Sequence, residues 1–350
     1  MKDELLPLLA EPGTGLSLDL EVGERRDGEI WDGSLRPSGA PSRVYPIRDG
    51  IPRFVPSDQY TGSFGLQWNR YATVQLDSRN GTTYSRDRFL DETRWNSDSL
   101  AGRWVLDGGC GCGRFAEVAA DLGANVVALD YSSAVEAARK NLGAQPNAHF
   151  VQGDLLNPPF RRNAFDFAYS IGVLQHTPDP AAALRAVIGL VGPGGAFALT
   201  IYGRRWYTPF NAKYVVRPLT RRIPPKLLLA MVRGSMPALF PITDVLYRIP
   251  GLGRLARFMI PVANYVDKTG FTRDQRYAEC ELDTFDMLAP RFDAPMTVNE
   301  VRDALEDAGV DPHAVTFLTE APVNVVGRTP RPATRSGRAP GVTSASRSVG

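Results

Sequence analysis

The chain has 350 residues, 43% of them hydrophobic and 22% charged, which excludes a protein disordered throughout. Its only cysteines, Cys110, Cys112 and Cys280, are too few for a disulfide scaffold or a four-cysteine zinc site. No apolar run of about 18 residues predicts a membrane-spanning helix. Because the first residues, MKDE, also lack an apolar signal core, we expect a cytoplasmic protein.

The formal net charge of +2 hides an uneven distribution. Residues 203–257 contain eleven Lys and Arg residues and one acid, Asp244. The tail from Arg328 adds five arginines and no acid. The pattern predicts a cationic surface module on an acidic body.

The first hundred residues predict two small units that precede the main fold. Residues 1–57 are rich in Gly, Pro and turn residues, which predicts a small β-rich cap with a hairpin turn at Asp49-Gly50. Residues 58–99 carry many aromatic side chains among polar ones. We expect this segment to cover another surface.

From Trp104 onward, short apolar strands alternate with helices. Strands are predicted at 104–106, 126–129, 149–151, 165–170 and 196–201, with helices at 115–122, 132–141 and 182–190. Alternation of this kind indicates a parallel sheet that is covered by helices on both faces.

The alternation stops after Ile201 and resumes near residue 291. Residues 204–290 are apolar and basic, and their prolines predict a basic insertion or lid made of short helices. A capping box at Thr297 predicts a helix that Gly309 ends, followed by strands at 315–318 and 323–326. The predicted core is therefore 100–203 with 291–327, and the Arg- and Pro-rich tail 328–350 is predicted to be disordered.

The first predicted strand leads into a glycine-rich turn, DGGCGCGRF, at residues 107–115. Such a turn before a helix lets the backbone approach a nucleotide-like ligand closely. Residues 111–116 also fit the G-x-G-x-x-A pattern of a dinucleotide site. Asp107 argues against that interpretation, because its carboxylate would repel a pyrophosphate and attract an ammonium or sulfonium. S-adenosylmethionine joins a nucleoside to such a cationic part.

Two further acids follow the next two predicted strands. Asp130 lies about 20 residues beyond the glycine turn, where an acid binds ribose hydroxyls. Asp154 follows the third strand, in a position to accept a hydrogen bond from an adenine amino group. Each acid alone is compatible with a helix N-cap, but all three would line the edge where open α/β sheets bind ligands.

These segments resemble the class I S-adenosylmethionine-dependent methyltransferases. The resemblance covers Val105–Tyr202, including FDFAYSIGVLQHTPDP at 165–180 and the Pro-Gly-Gly turn that ends at Gly195. It implies a Rossmann-like α/β fold with a seven-stranded, mostly parallel sheet, S-adenosyl-L-methionine as cofactor, and methyl transfer to a small molecule. The cofactor contacts that it implies are Asp107, Gly109, Gly111, Gly113, Asp130, Tyr131, Asp154, Leu155, Ser170, Gln67 and Trp68.

Outside this core, residues 45–54, 63–77 and 284–309 look like bacterial members that carry a small zinc-ribbon-like cap. The cap of this chain has no cysteine in residues 1–57. We therefore predict a cap that folds without zinc, and no metal site.

Methyl transfer to a hydroxyl or a protonated amine requires an aligned acceptor and removal of a proton. His176 follows the fourth strand at the predicted cofactor edge and is a candidate general base, with a structural or cofactor-shell role as the alternative. Tyr202 ends the fifth strand and is a candidate for the substrate pocket. Trp68 is a candidate cation–π partner of a sulfonium, with core packing as the alternative. We interpret His149, His313 and the two cysteines of the turn as structural.

The insertion has three interpretations: a lid over an apolar or anionic substrate, a contact with a membrane surface, or a contact with RNA. RNA is the least favoured, because no RNA-binding module is recognisable. We expect a small-molecule partner and no nucleic acid. The richness in Arg, Ala, Gly and Pro suggests secondary metabolism in a bacterium with a GC-rich genome. The rival functions are another reaction with the same cofactor and a catalytically silent cofactor-binding protein.

Overall fold

The structure is a computed structural model that describes residues 1–39, 43–56 and 59–331.

The cap contains a small antiparallel sheet. The sheet has four strands in sequence order: β1 (Leu18–Arg26), β2 (Glu29–Pro37), β3 (Tyr45–Arg48) and β4 (Ile51–Pro52). Asp49 and Gly50 join the last two strands with φ values of 53° and 74°, the positive values that a type I′ turn requires. The hairpin predicted from the Asp-Gly pair is present.

Four helices connect the cap to the core: α1 (Gly62–Arg70), α2 (Asp77–Asn80), α3 (Tyr84–Thr93) and α4 (Ser97–Leu100). The aromatic side chains predicted to cover another surface largely face inward. Phe89 and Trp95 are buried against Tyr169, with ring centroids 5.2 and 6.3 Å away. This packing fixes the segment on one face of the main sheet.

The main sheet has seven strands, and its prediction is confirmed. Its parallel strands are β5 (Trp104–Gly108), β6 (Asn125–Asp130), β7 (Ala148–Gln152), β8 (Phe165–Ile171) and β9 (Val191–Ile201). The helices between them are α5 (Arg114–Asp121), α6 (Ala134–Leu142) and α7 (Pro180–Gly189). Strands β6 and β7 are buried almost throughout, as expected for strands covered on both faces.

The strand order places a ligand crevice beside β5. The order β9-β8-β5-β6-β7 shows that the chain runs outward from β5 to β7 and then returns to β8 on the other side of β5. Open α/β sheets bind ligands at such a reversal, beyond the carboxyl ends of the strands. The glycine-rich turn that follows β5 lies at this point.

The insertion is helical, but only two of its four α-helices are short, and its longest helix is not broken by the two prolines inside it. It contains α8 (Ala212–Thr220), α9 (Pro225–Leu246), α10 (Leu252–Met259) and α11 (Arg273–Leu288). Helix α9 continues through Pro237 and Pro241. Both prolines are four residues apart on the exposed face, where water can satisfy the carbonyl groups they leave without an amide partner. The opposite face, which includes Met236 and Phe240, is buried and stabilises the helix.

The chain then returns to the sheet through α12 (Val298–Asp307), β10 (Thr316–Glu320) and β11 (Val323–Arg328). The predicted capping box is present: Thr297 Oγ1 accepts a hydrogen bond from the Glu300 amide at 3.3 Å. Strand β11 pairs antiparallel with β9, and β10 with β11. Residues 332–350, most of the tail predicted to be disordered, lie outside the described residues. In the part of the chain that the structure describes, no helix is long and apolar enough to cross a bilayer.

Candidate active site

The glycine turn after β5 exposes backbone to the crevice. Gly109, Gly111 and Gly113 have φ values of 92°, 54° and 90°, which favour glycine. The Gly111 amide donates a hydrogen bond to Asp130 Oδ2 at 2.9 Å, while Ser132 donates to Oδ1 through its amide and hydroxyl. Asp130 therefore ties the turn to the end of β6.

The glycines of this turn have no room for a side chain. A Cβ at Gly111 would lie 3.1 Å from the Trp68 ring, and a Cβ at Gly109 would lie 2.3 Å from Val173 Cγ1. Both distances are closer than carbon atoms normally pack. The turn is thus a cradle of bare backbone covered by the indole of α1.

A cavity of about 370 Å³ lies over the turn. It brings together nine of the residues predicted from sequence: Trp68, Gly109, Gly111, Asp130, Tyr131, Asp154, Leu155, His176 and Tyr202. The other four, Asp107, Gly113, Ser170 and Gln67, are not part of its lining.

Asp107 is buried at the end of β5, 2% exposed. Burial raises the pKa of its carboxyl from 3.8 to about 7; the nearby Tyr169 hydroxyl acts against this rise and Asp130 adds to it. Oδ2 of Asp107 and the Tyr169 hydroxyl oxygen nevertheless lack a hydrogen-bond partner among the described residues. A buried carboxylate oxygen without a partner is costly and indicates a position where a cationic group would be stabilised.

The three remaining residues position their neighbours. Gly113 is the N-cap of α5, where a Cβ would lie 2.9 Å from Leu142. Ser170 Oγ donates to the Gly108 carbonyl at 2.7 Å and fixes the start of the glycine turn. Gln67 Nε2 donates to Asp286 Oδ1 at 2.7 Å, and Asp286 lines the cavity.

Asp154, Tyr60 and Tyr131 all line the cavity. Asp154 Oδ1 accepts from the Leu156 amide at 2.9 Å, and burial raises the pKa of this carboxyl. The Tyr60 ring lies 5.0 Å from Tyr131 and 5.3 Å from Phe292. Tyr60 was not predicted, and with Tyr131 it adds aromatic surface to the cavity that Asp154 also lines, as a flat heterocycle requires.

His176 lies on the cavity wall in a defined tautomer. Its Nδ1 is 3.0 Å from the Phe292 carbonyl oxygen, which can only accept a hydrogen bond. The proton of the neutral imidazole is therefore assigned to Nδ1, which leaves Nε2 as an acceptor. The ring is held by Phe64 and Tyr202 at centroid distances of 5.2 and 5.5 Å.

Tyr202 follows β9 and faces the insertion across the cavity. Burial, followed by the charges of Asp286 and Asp293, raises the pKa of its hydroxyl well above the usual value. Lys213 Nζ lies 4.6 Å from the centre of the Tyr202 ring and 2.9 Å from Asp293. The phenol thus remains protonated and can donate a hydrogen bond.

The last helix of the insertion and the segment after it contribute an acidic wall that the sequence analysis missed. Asp283 and Asp286 of α11 and the following Asp293 all line the cavity. Burial, then the charges of Glu279 and Asp286, raises the pKa of Asp283 to about 7. The i, i+3 spacing of Asp283 and Asp286 was visible in the sequence, but it did not show which face of the helix meets the cavity.

Three of the four groups interpreted as structural, Cys110, Cys112 and His149, are buried. Burial raises the pKa of both Cys110 and Cys112, which keeps these thiols protonated. Burial also lowers the pKa of His149 to about 4. His313 is exposed in a loop.

Comparison with known proteins gives consistent matches. A family model described as a methyltransferase domain matches residues 106–199. A demethylmenaquinone methyltransferase of Renibacterium salmoninarum is 31% identical over 116 residues, 33% of this chain and 48% of the relative. A ubiquinone biosynthesis O-methyltransferase of Xanthomonas oryzae pv. oryzae is 32% identical over 165 residues, 42% of this chain and 68% of the relative.

Among solved structures, an S-adenosylmethionine-dependent methyltransferase from Mesorhizobium loti is 29% identical, with a TM-score of 0.28 over 32% of this chain and 50% of that chain. The chain spans about half the length of the first curated relative and about two thirds of the second.

Proposed function

Because the chain belongs to the class I S-adenosylmethionine-dependent methyltransferases, we propose that it transfers a methyl group to a hydroxyl oxygen of a small, neutral, apolar molecule. The observation that carries this proposal is the hydrogen bond between His176 Nδ1 and the Phe292 carbonyl, which leaves Nε2 as a proton acceptor on the cavity wall. The name of the Xanthomonas relative, an O-methyltransferase, supports the same acceptor atom.

The residues of the crevice fit the cofactor of this family. The bare backbone at Gly109 and Gly111 would accommodate its amino-acid part, and the unpartnered Oδ2 of Asp107 suits an ammonium. Asp130 and Asp154 would hold the ribose and the adenine, with Tyr60 and Tyr131 beside the ring. When bound, S-adenosylmethionine supplies an electrophilic methyl group on a sulfonium.

The chain itself handles the acceptor and its proton. His176 Nε2 takes the proton of the acceptor hydroxyl as the oxygen becomes the nucleophile, and later releases it to solvent. The protonated Tyr202 hydroxyl donates a hydrogen bond that orients the acceptor. The side chains of Phe64, Ile171 and Met287 exclude water from the reacting atoms.

The charges on the wall define which acceptors suit the cavity. Five carboxylates line it, Asp130, Asp154, Asp283, Asp286 and Asp293, together with three cationic side chains, Arg88, Arg114 and Lys213. Lys213 is paired with Asp293, and Arg88 with Glu92 at 2.7 Å. This balance disfavours the anionic acceptor expected as one alternative and retains the apolar one.

A second candidate is methyl transfer to an amine nitrogen. Asp283 and Asp286 favour it, because carboxylates on the wall would stabilise an ammonium before it loses its proton. Radiolabelled cofactor offered with a panel of phenols and a panel of primary amines separates the two. Label in phenolic products supports the first proposal, and label confined to amines supports the second.

Replacing His176 tests the proposed base. With any acceptor that the panel identifies, His176→Ala should lower kcat by about 100-fold or more, since base catalysis contributes ~10²–10⁴-fold. S-adenosylhomocysteine affinity, measured by calorimetry, should stay within twofold of wild type. His313→Ala, on an exposed loop, is the control. Unchanged turnover, or a loss confined to cofactor affinity, would contradict the assignment.

A further inference from the structure

The insertion exposes an unusual amount of apolar surface. Of seventeen large hydrophobic side chains that are exposed in the described part of the chain, fourteen lie between residues 206 and 265. The most exposed are Trp206 at 85%, Leu219 at 68%, Val245 at 67% and Phe210 at 65%. Contiguous exposed apolar surface on a soluble domain usually marks a site of interaction.

These side chains form stripes along helices. On α9 the exposed apolar positions follow helical spacing from one end to the other: Leu227, Met231, Ala238, Ile242 and Val245. On α10 they are Leu252, Leu255 and Met259. Each helix also has a buried face, so the exposed stripe is a second apolar surface that the fold itself leaves uncovered.

The elements that carry these stripes lie next to one another. The ring of Tyr207, beside Trp206, is 6.2 Å from Phe258 of α10. The Tyr247 hydroxyl, just after α9, donates to the Val262 carbonyl at 3.0 Å, which anchors the end of α10 to the end of α9. We call the exposed apolar side chains of residues 206–259 the docking face.

Unpaired cations accompany this face. Arg205, Arg221, Arg222, Lys226 and Arg254 are exposed, and none forms an ion pair with another residue that the structure describes. The sequence between 203 and 257 has only one acid, Asp244, which pairs with Arg276 at 2.6 Å. A partner that covers the docking face therefore meets apolar side chains and uncompensated positive charge together.

We propose that the docking face binds the surface of an anionic lipid bilayer. Apolar side chains with flanking Lys and Arg suit insertion into the acyl boundary beneath anionic headgroups, and Trp and Tyr favour the same interface. The charge argues against a second copy of the chain, because two such faces would repel each other. The stripes argue against RNA, because their side chains are aliphatic and bases stack on aromatic side chains.

The bilayer contact is independent of the proposed methyl transfer. The elements that carry the docking face also form the cavity wall, since Lys213 of α8 and Tyr265 after α10 both line the cavity. Docking would bring that wall close to the lipid. The binding itself, however, can be measured without turnover, so failure of one proposal is distinguishable from failure of the other.

The test is sedimentation of the full chain with vesicles. We expect it to sediment with vesicles of phosphatidylcholine containing 30% phosphatidylglycerol, at least tenfold more strongly than with phosphatidylcholine alone, and less at high salt. The triple variant Trp206→Ser, Val245→Ser, Leu255→Ser should bind at least tenfold more weakly. A matched control, Val22→Ser with Val44→Ser, removes exposed apolar side chains of the cap and should bind like wild type. Since all five positions are exposed, both variants should keep the wild-type melting temperature and S-adenosylhomocysteine affinity.

Three results would overturn the proposal. The first is wild-type protein that sediments with neither kind of vesicle. The second is a triple variant that binds anionic vesicles as wild type does. The third is a concentration-dependent dimer, seen by light scattering without lipid and lost in the triple variant, which would assign the docking face to self-association.

Discussion

Replacing Asp107 by asparagine should stabilise the ligand-free protein and weaken cofactor binding at the same time. The Asp107 carboxyl is buried at the end of β5, and its Oδ2 has no partner among the described residues. Burial raises its pKa from 3.8 to about 7, so the folded chain holds a proton that the unfolded chain has already released in this pH range. Wild-type stability therefore falls as pH rises from about 4 to about 7.

The size of the effect follows from that pKa. One pKa unit corresponds to about 1.4 kcal/mol, so the interval from pH 5.5 to 7 costs the wild type on the order of 2 kcal/mol of unfolding free energy. Asparagine does not ionise, so the stability of Asp107→Asn relative to wild type should increase by this amount between pH 5.5 and 8. Loss of a charge-assisted hydrogen bond to the ammonium of S-adenosylhomocysteine should weaken its binding by ~1.5–3 kcal/mol, about 10- to 100-fold.

Urea unfolding at the two pH values and calorimetric titration at pH 8 measure both effects. Asp91→Asn is the control, because the Asp91 side chain is 79% exposed and its ion pair with Arg94, at 3.8 Å, is a weak surface pair. A variant that gains stability but binds S-adenosylhomocysteine like wild type would show that Asp107 is not a cofactor group. A variant whose stability difference does not change with pH would refute the argument from burial.

The remaining predictions concern the glycine turn, the ribose acid and the cap. Gly111→Ala and Gly102→Ala both place alanine at positive φ, so each variant should lose ~1–2 kcal/mol of stability. Only Gly111→Ala should lose S-adenosylhomocysteine binding, because only its Cβ meets Trp68. Equal affinities of the two variants would contradict the proposed cradle of bare backbone. Asp130→Ala removes the acceptor of the Gly111 amide and should weaken the same binding by ~1–3 kcal/mol, an interpretation that wild-type affinity would rule out. Elemental analysis should find no stoichiometric zinc in the purified chain, and one zinc per chain would show that a metal stabilises it.

The core of the fold was predictable because its strands are buried on both faces. Runs such as those of β6 and β7 must be apolar throughout, and their alternation with helices leaves few alternatives to a parallel sheet. Strand ends were less predictable. Strand β9 begins at Val191, five residues before the predicted start. Residues 192–195, predicted as a turn, belong to the strand, and the register of its pairing with β8 shifts there.

The insertion was the part that local rules described least well. Two internal prolines predicted a break, yet α9 runs through both, because its opposite face is buried against α11 and the prolines face solvent. Tertiary packing outweighed the local preference, and a single sequence does not show which helices will pack together.

In the candidate site, too, some residues could be predicted from local patterns and others depend on tertiary packing. The glycine turn, Asp130 and Asp154 follow strands whose carboxyl ends must meet at one edge, so their proximity was predictable. Asp283 and Asp286 reach the cavity only through the packing of α11 on α1 and α9, contacts between segments some 40 to 220 residues apart in the chain. The partner of His176, the Phe292 carbonyl, is 116 residues away in the sequence. Because every residue has a backbone carbonyl, the residue type at this position could not predict the contact.

The central claim is that the carboxyl edge of β5 to β7 holds a nucleoside cofactor with a cationic amino-acid part. Its most direct test is calorimetric titration of the intact chain with S-adenosylhomocysteine and, separately, with NADH. The account predicts saturable binding of one S-adenosylhomocysteine per chain and no measurable binding of NADH. Tight binding of NADH with none of S-adenosylhomocysteine would contradict it and support the dinucleotide interpretation of the glycine turn.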